Sequence, residues 1–214
     1  MPDSKPTKEQ MQKALEERHG AELQRRFSSA SVAVCGLGGL GSNIAIALAR
    51  AGVGKLHLID FDKVDITNLH RQQYTVKQLG MYKTDALKET LQDIAPYIEI
   101  IVHTVQITED NLKEILRDDE IICEAFDKPE NKAMLVNGVS ENYPEKYIVS
   151  ASGMAGISSA NSIKTRRITK HFYLCGDETS DISNGAGLFS SRVMICAAHQ
   201  AHAVLRILAG EQEA

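Results

Sequence analysis

A glycine-rich turn between two short apolar segments constrains the fold of this chain most strongly. Residues 36–41 read GLGGLG, which matches G-x-G-x-x-G, and they follow directly on the apolar run SVAVC at 31–35. The next segment, SNIAIALAR at 42–50, has the composition of a helix, and KLHLID at 55–60 that of a second strand. This succession predicts the β-α-β unit of a nucleotide-binding sheet.

The glycines of this turn have distinct physical uses. Gly36 permits the tight turn, Gly38 and the adjacent Gly39 let the backbone approach a phosphate, and Gly41 lets the helix pack on the strand. The helix N-terminus then offers free N–H groups to an anion. Asp60 ends the second strand about 20 residues downstream, where a carboxylate can hold ribose hydroxyls. The motif predicts a bound nucleotide but does not distinguish NAD from ATP.

Strands and helices continue to alternate along the chain, which favours a mainly parallel sheet covered on both faces. Helices are predicted at 7–27, 83–94, 111–117, 129–142 and 190–208, and strands at 99–105, 120–123, 147–151, 162–168 and 170–174. The last two strands are expected to pair with each other. We predict an α/β fold, Rossmann-like and doubly wound, with a small antiparallel extension near the C-terminus.

The composition favours one globular domain over 1–214, with a helical arm at 1–28, a nucleotide-binding core at 29–152 and a C-terminal part at 153–214. Hydrophobic residues make up 43% of the chain and charged residues 24%. The formal net charge of -4 gives no sign of a nucleic-acid partner. No apolar run long enough for a membrane span or a signal peptide appears, so a cytoplasmic location is expected.

One edge of the predicted sheet decides which nucleotide is bound. The polar side chains expected there are Asp60, Asp62, Asn68, Arg71, Lys83 and Asp127. The two cations, Arg71 and Lys83, suit a triphosphate better than a nicotinamide, and Asp127 is suited to Mg²⁺. The alternative is that Arg71 and Lys83 form surface ion pairs with Asp65 and Asp85.

Several segments together resemble the ThiF/MoeB/HesA family, which is related to ubiquitin-activating enzymes. The resemblance is carried by GLGGLGS at 36–42, ARAGVGKLHLIDFDKVDITNLHRQQY at 49–74, GMYK at 80–83 and Asp127. It is specific over residues 31–130. After 130 it is looser, and YLCGD at 173–177 and AAHQAH at 197–202 are similar to a short, ThiF-like branch of sulfur carrier protein adenylyltransferases.

The resemblance implies an activity. ThiF-like proteins use ATP to adenylate the C-terminal Gly-Gly carboxylate of a ubiquitin-fold sulfur carrier such as ThiS, and thiamine thiazole biosynthesis is the default pathway. The implied cofactors are ATP and Mg²⁺, the implied assembly is a homodimer, and residues 153–214 would bind the carrier. Asp60 would hold the ribose, Asn68, Arg71 and Lys83 would contact the phosphates, and Asp127 would hold Mg²⁺.

The chain departs from the family in its N-terminal arginine and in its cysteines. The arginine that reaches the partner subunit's ATP sits in an R-Y-x-R-Q motif, which is absent here; Arg18 is the best substitute, with Arg25 and Arg26 as alternatives. The two C-x-x-C pairs that bind zinc in longer relatives are also absent, so no zinc is expected. Cys175, expected in a polar glycine-flanked loop, is a candidate for acyl or sulfur transfer, and an incidental role is the alternative.

Two other functions remain open from the sequence. An NAD-dependent oxidoreductase would use the same glycines and Asp60 but would leave Arg71, Lys83 and Asp127 without a role. A non-catalytic partner of an activating enzyme usually lacks one of those three residues. ATP–pyrophosphate exchange distinguishes both from an adenylating enzyme.

Overall fold

The computed structural model describes residues 5–184, 186–211 and 213. The strands are β1 Ser31–Cys35, β2 Lys55–Ile59, β3 Glu99–His103, β4 Ile121–Glu124, β5 Tyr147–Ala151, β6 Lys164–Arg167 and β7 Phe172–Gly176. The helices are α1 Lys8–His19, α2 Ala21–Ser29, α3 Gly39–Arg50, α4 Lys83–Ile94, α5 Leu112–Ile115, α6 Pro129–Asn142 and α7 Ser190–Ala209. No helix within these ranges is both long and apolar enough to cross a bilayer.

The described strands form one sheet in the order β3-β2-β1-β4-β5-β7-β6. All neighbours pair in parallel except β6 and β7, which are antiparallel. The predicted mainly parallel sheet with a C-terminal antiparallel extension is therefore confirmed. The chain runs outward from β1 in one direction through β2 and β3, and in the other from β4. Ligands of such sheets bind outside the strand ends at this switch point.

Helices cover both faces of the sheet, as predicted for a doubly wound fold. One core lies under α3, α4 and α7 and contains Ile44, Leu87 and Val204. The other lies under α5 and α6 and contains Leu112 and Leu135. Because both faces of the sheet are covered, β1 and β4 are buried along their whole length and are mostly apolar, with Ser31 and Glu124 as the exceptions.

Three element predictions differ most from the structure, and the strands expected at 99–105 and 162–168 are shorter than predicted. The helix expected at 7–27 is two helices, because Gly20 adopts φ +85° and donates its N–H to Glu16 O, which ends α1. The helix expected at 111–117 is a single turn. The strand expected at 170–174 starts later and runs through Cys175, so that residue pairs with Ala151 of β5 instead of lying in a loop.

Candidate nucleotide-binding site

The glycine-rich turn lies at the switch point, between β1 and the start of α3. Gly36 has φ +91°, and a Cβ there would lie 2.8 Å from Ala125 O at the end of β4. A Cβ on Gly41 would lie 1.8 Å from Gly36 O. Both positions therefore exclude any side chain, the first also by backbone conformation. Glycine brings α3 directly onto the end of β1.

The turn opens onto a cavity of about 780 Å³, large enough for a nucleotide. A Cβ on Gly38 would meet only Gln72 Nε2, at 3.8 Å, so the backbone there faces open space. Helix α3 begins at Gly39, beside this opening, and the N–H groups of a first helical turn have no partner within their own helix. The turn thus has the form of an anion cradle. The cavity lining includes Gly36, Gly38, Gly39, Asp60, Asp62, Asn68, Arg71, Lys83 and Asp127.

Asp60 ties the glycine-rich turn to the end of β2. Its Oδ2 accepts the N–H of Leu37 at 2.7 Å, and its Oδ1 accepts the N–H of Asp62 at 2.8 Å. Burial raises the pKa of this carboxyl, against the opposing effect of the Lys83 ammonium 3.8 Å away. Each oxygen retains a second lone pair for a further donor. Asp60 thereby shapes the phosphate loop while its side chain lines the cavity.

Lys83 is buried at the N-terminus of α4 and paired with acidic side chains of the same edge. Its Nζ lies 2.7 Å from Asp62 Oδ2, which makes Asp62 the nearer of its two carboxylate partners. The ion pair with Asp85 considered from the sequence is not among the contacts of the described residues. A buried ammonium needs such counter-charges.

Arg71 and Asn68 are held in place by a short turn, Ile66–Asn68. Asn68 caps this turn by accepting the N–H of Asp65, and Arg71 Nη1 donates to Thr67 O at 3.1 Å. No carboxylate in the described part of the chain lies within ion-pair distance of Arg71, so the alternative Arg71–Asp65 pair is not formed. The Arg71 guanidinium brings an unneutralised positive charge to the cavity.

Gln72, which was not predicted as a site residue, has a buried polar atom that a bound ligand could satisfy. The residue is 7% exposed and lines the cavity, and its Oε1 has no hydrogen-bond partner in the described structure. Buried carboxamides without partners are rare and costly. Together with the open face of Gly38, this unsatisfied group fits a polar molecule against the phosphate loop.

Asp127 lies shortly after β4. Its side chain is exposed, lines the cavity and makes no ion pair with another described residue. Within the described ranges, no group of three or more His, Cys, Asp or Glu side chains could hold a metal ion. The site therefore fits Mg²⁺ only in the usual nucleotide mode, with one carboxylate and the remaining ligands from phosphate and water.

Two residues predicted from the sequence lie away from this cavity. Arg18 is exposed on α1 and is not a lining residue of its own chain's cavity. Cys175 is fully buried, and burial raises the pKa of its thiol to about 11. The expectation that it lies in an accessible polar loop is wrong, because the loop begins only after β7. A thiol of this pKa is a poor nucleophile at neutral pH.

Further site residues could not be recognised from local sequence. The buried Glu124 at the end of β4 pairs with the partly exposed Lys132, and Arg192 of α7 pairs with Asp177 beside the cavity wall. These partners are separated by 8 and 15 positions, and only the packed fold brings them together. The only signal in the sequence is a charged residue within an otherwise apolar strand or helix.

A family model described as "ThiF family" matches residues 9–214. The Adenylyltransferase and sulfurtransferase MOCS3 of Aedes aegypti is 36% identical over 54% of this chain and 27% of that protein. The Sulfur carrier protein adenylyltransferase of Thermus thermophilus is 34% identical over 61% of this chain and 43% of that protein. This chain thus spans less than half the length of either relative.

Solved structures share the fold over nearly the whole chain. The E. coli tRNA N6-threonylcarbamoyladenosine dehydratase TcdA in complex with ATP matches with a TM-score of 0.84 and 21% identity, over 94% of both chains. The E. coli MccB structure with ATP matches with a TM-score of 0.71 and 21% identity, over 92% of this chain and 65% of that one. Identities at this level establish the shared fold alone.

Proposed function

Because the chain belongs to the ThiF family, we propose that it uses ATP to adenylate the C-terminal carboxylate of a ubiquitin-fold sulfur carrier protein ending in Gly-Gly. The observation that carries this proposal is the cavity at the switch point. The glycine-rich turn, the two cations Arg71 and Lys83, and the exposed Asp127 all line this cavity. Arg71 has no acidic partner among the described residues. This set of groups is complementary to a triphosphate with its metal.

In this reaction the protein has two main tasks, which are to align the carboxylate with the α-phosphorus and to neutralise the charge of the phosphates. The attacking carboxylate is ionised at neutral pH, so no general base is required. One carboxylate oxygen bonds to the α-phosphorus, and the bond from the α-phosphorus to the oxygen shared with the β-phosphate breaks. Pyrophosphate leaves with that electron pair. Orienting the carboxylate in line with this bond supplies much of the acceleration.

Arg71 and Lys83 would stabilise the negative charge that shifts onto the leaving pyrophosphate. Lys83 would exchange part of its contact with Asp62 for phosphate oxygens, whereas Arg71 gives up no carboxylate partner. Asp127 would hold Mg²⁺, which when bound neutralises phosphate charge. Asp60 would accept hydrogen bonds from the ribose with the lone pairs that Leu37 and Asp62 leave free.

The partner is proposed to be a ThiS-like carrier of thiamine thiazole biosynthesis. The relative from Thermus thermophilus, named as a sulfur carrier protein adenylyltransferase, supports the carrier class. We further propose a homodimer in which Arg18 reaches the partner's nucleotide, since exposed Arg18 does not line the cavity of its own chain. Light scattering should give a dimer mass, and Arg18→Ala should lower activity without dissociating it.

ATP–pyrophosphate exchange tests the proposal. Labelled pyrophosphate should enter ATP only when a carrier ending in a free Gly-Gly carboxylate is present, and a carrier with an amidated C-terminus serves as the matched control. An exchange rate that does not depend on the carrier, or tight NAD binding without exchange, would contradict the proposal. The second result would favour the oxidoreductase, and ATP binding with no exchange would favour a non-catalytic partner.

A second candidate substrate is a carboxylate carried by tRNA. The solved structure that matches 94% of this chain is described as acting on tRNA N6-threonylcarbamoyladenosine, whose threonyl group bears a free carboxylate. The same cavity could activate that group. Exchange stimulated by tRNA with this modification, and not by unmodified tRNA or by the carrier, would select this candidate.

A further inference from the structure

Glu124 and Lys132 form an ion pair beside the cavity, which the proposed adenylation chemistry does not use directly. Glu124 ends β4 and is fully buried. Lys132 lies in the first turns of α6, and its Nζ is 3.0 Å from both Oε1 and Oε2 of Glu124. A buried carboxylate is tolerated only with such a partner, so the pair has to remain closed in the folded protein.

The same carboxylate fixes the chain that leads from β4 to Asp127. Glu124 Oε1 accepts the N–H of Phe126 at 2.7 Å, and its Oε2 accepts the hydroxyl of Ser150 on β5. The backbone carbonyl of Glu124 accepts Nε2 of Gln200 from α7 at 2.9 Å. Side chain and carbonyl of one residue thus hold the turn before Asp127 against two neighbouring elements.

Lys132 lines the nucleotide cavity, but its charge is already neutralised. Two of its three N–H donors are used by Glu124. Lys132 therefore leaves little positive charge available for phosphate, whereas Arg71 has no carboxylate partner among the described residues. Lys132 is thus engaged by Glu124 rather than free to bind phosphate.

We propose that the Glu124–Lys132 pair is a positioning device that holds Asp127 in place for the nucleotide's metal ion. The inference rests on the role that the proposed function gives to Asp127. Groups that orient a metal-binding carboxylate typically change metal affinity by about 10- to 100-fold when removed. Removing the pair should therefore weaken ATP binding in the presence of Mg²⁺ and leave ATP binding without Mg²⁺ unchanged.

Calorimetry on the full chain tests this by measuring the Kd for ATP with and without Mg²⁺. Wild type should bind ATP more tightly with Mg²⁺, and Asp127→Asn should lose that gain. The double variant Glu124→Gln/Lys132→Met removes both charges and keeps the side-chain shapes. In this variant, the factor by which Mg²⁺ tightens ATP binding should be about tenfold smaller than in wild type. Its Mg²⁺-free Kd should match that of wild type.

Two control variants should keep the wild-type effect of Mg²⁺ on ATP binding. Lys132→Arg keeps a cation for Glu124, and Glu130→Gln changes an exposed neighbour that does not line the cavity.

A double variant with the wild-type gain, or with equal losses in both conditions, would overturn the inference. If the double variant does not fold, Ser150→Ala decides, since it removes one hydrogen bond to Glu124 and no charge. It should lower the gain without lowering Mg²⁺-free affinity, and an unchanged gain overturns the inference. No Mg²⁺ gain in wild type also overturns it. Missing carrier-dependent exchange alongside the expected Mg²⁺ pattern would refute only the carrier proposal.

Discussion

Arg71 and Lys83 both bring positive charge to the cavity, but in different surroundings. Lys83 is buried between Asp60 and Asp62, whereas Arg71 contacts only backbone and imidazole groups among the described residues. A new anion therefore competes with two carboxylates for Lys83 and with none for Arg71. Arg71 should supply the larger net attraction for a triphosphate.

Replacing Arg71 by alanine should lower carrier-dependent pyrophosphate exchange by about 10²-fold, because a preorganised cation at the leaving group is lost. The fold should survive, since the Arg71 side chain hydrogen-bonds only Thr67 O and His70 among the described residues. Exchange rates and circular dichroism check both statements. Arg50→Ala, at the exposed far end of α3, is the matched control and should behave as wild type. Wild-type exchange in Arg71→Ala would show that the guanidinium has no role.

Cys175→Ala should keep carrier-dependent exchange near the wild-type rate. The thiol is fully buried in β7 with its pKa raised to about 11, so it is protonated and inaccessible at neutral pH. For the same reason, alkylation by iodoacetamide at pH 7.5 should leave Cys175 unmodified by mass spectrometry. Rapid alkylation of the folded protein, or loss of exchange with a native spectrum, would reinstate a chemical role.

The residues that belong to a continuous motif were predictable, and those that depend on packing were not. Gly36, Gly41 and Asp60 are spaced by the geometry of one β-α-β unit, so their positions follow from the sequence. Gln72 and Glu124 are ordinary polar residues in sequence. The unpartnered Oε1 of Gln72 and the burial of the Glu124 carboxylate arise only from packing in the folded chain, so they cannot be read from the sequence.

At the level of elements, the C-terminal wall of the cavity is held by one buried ion pair. Arg192, in the first turn of α7, donates to Asp177 just past β7 and to the carbonyls of Ala155 and Ser158. The Asp177 Oδ1 accepts the N–H groups of Thr179 and Ser180. Two loops that line the cavity are thereby joined to α7. We expect their order to depend on the charge of Asp177.

The stabilising effect of Asp177 should depend on pH in the acid range. Burial opposes its ionisation, but hydrogen bonds from Ser180, Thr179 and Arg192 outweigh it and lower the pKa to about 2. A lowered folded-state pKa gives stability that is complete above the unfolded value near 4 and is lost as pH falls through about 2.

Urea unfolding of wild type and Asp177→Asn measures this contribution. The difference in unfolding free energy should include about 2 kcal/mol at pH 7 that shrinks as pH falls from 4 toward 2. Asp181→Asn, with an exposed side chain, is the matched control and should show a much smaller change. A difference between wild type and Asp177→Asn that stays constant down to pH 2 would contradict the assigned pKa.

Elements with strong periodicity were predicted well, and short or late ones less so. The ends of α4, α6 and β5 match the sequence, where proline and apolar runs set clear limits. The N-terminal helix was predicted as continuous because its composition is uniform and the φ of Gly20 is not visible in sequence. The register of β7 depends on pairing with β5, which is a long-range contact, so the placement of Cys175 failed.

At the scale of the whole molecule, the strand order explains why distant residues form one site. Because β2, β1 and β4 are successive neighbours and pair in parallel, the turns that follow them open at the same edge of the sheet. Asp60 and Asp127, on different β-α units, therefore line one cavity. A 4-residue β4 and a 5-residue β1, both wholly buried, hold this geometry rigid. The alternation of elements in the sequence was enough to predict this convergence.

The most direct test of the account follows the oxygen atoms of the reaction. A Gly-Gly carrier labelled with ¹⁸O in its terminal carboxylate is incubated with ATP and the protein, and the adenylate is then cleaved with hydroxylamine. If the carboxylate attacks the α-phosphorus, the released AMP carries one ¹⁸O and pyrophosphate carries none. Unlabelled AMP, or label in inorganic phosphate, would show that ATP is used for another reaction.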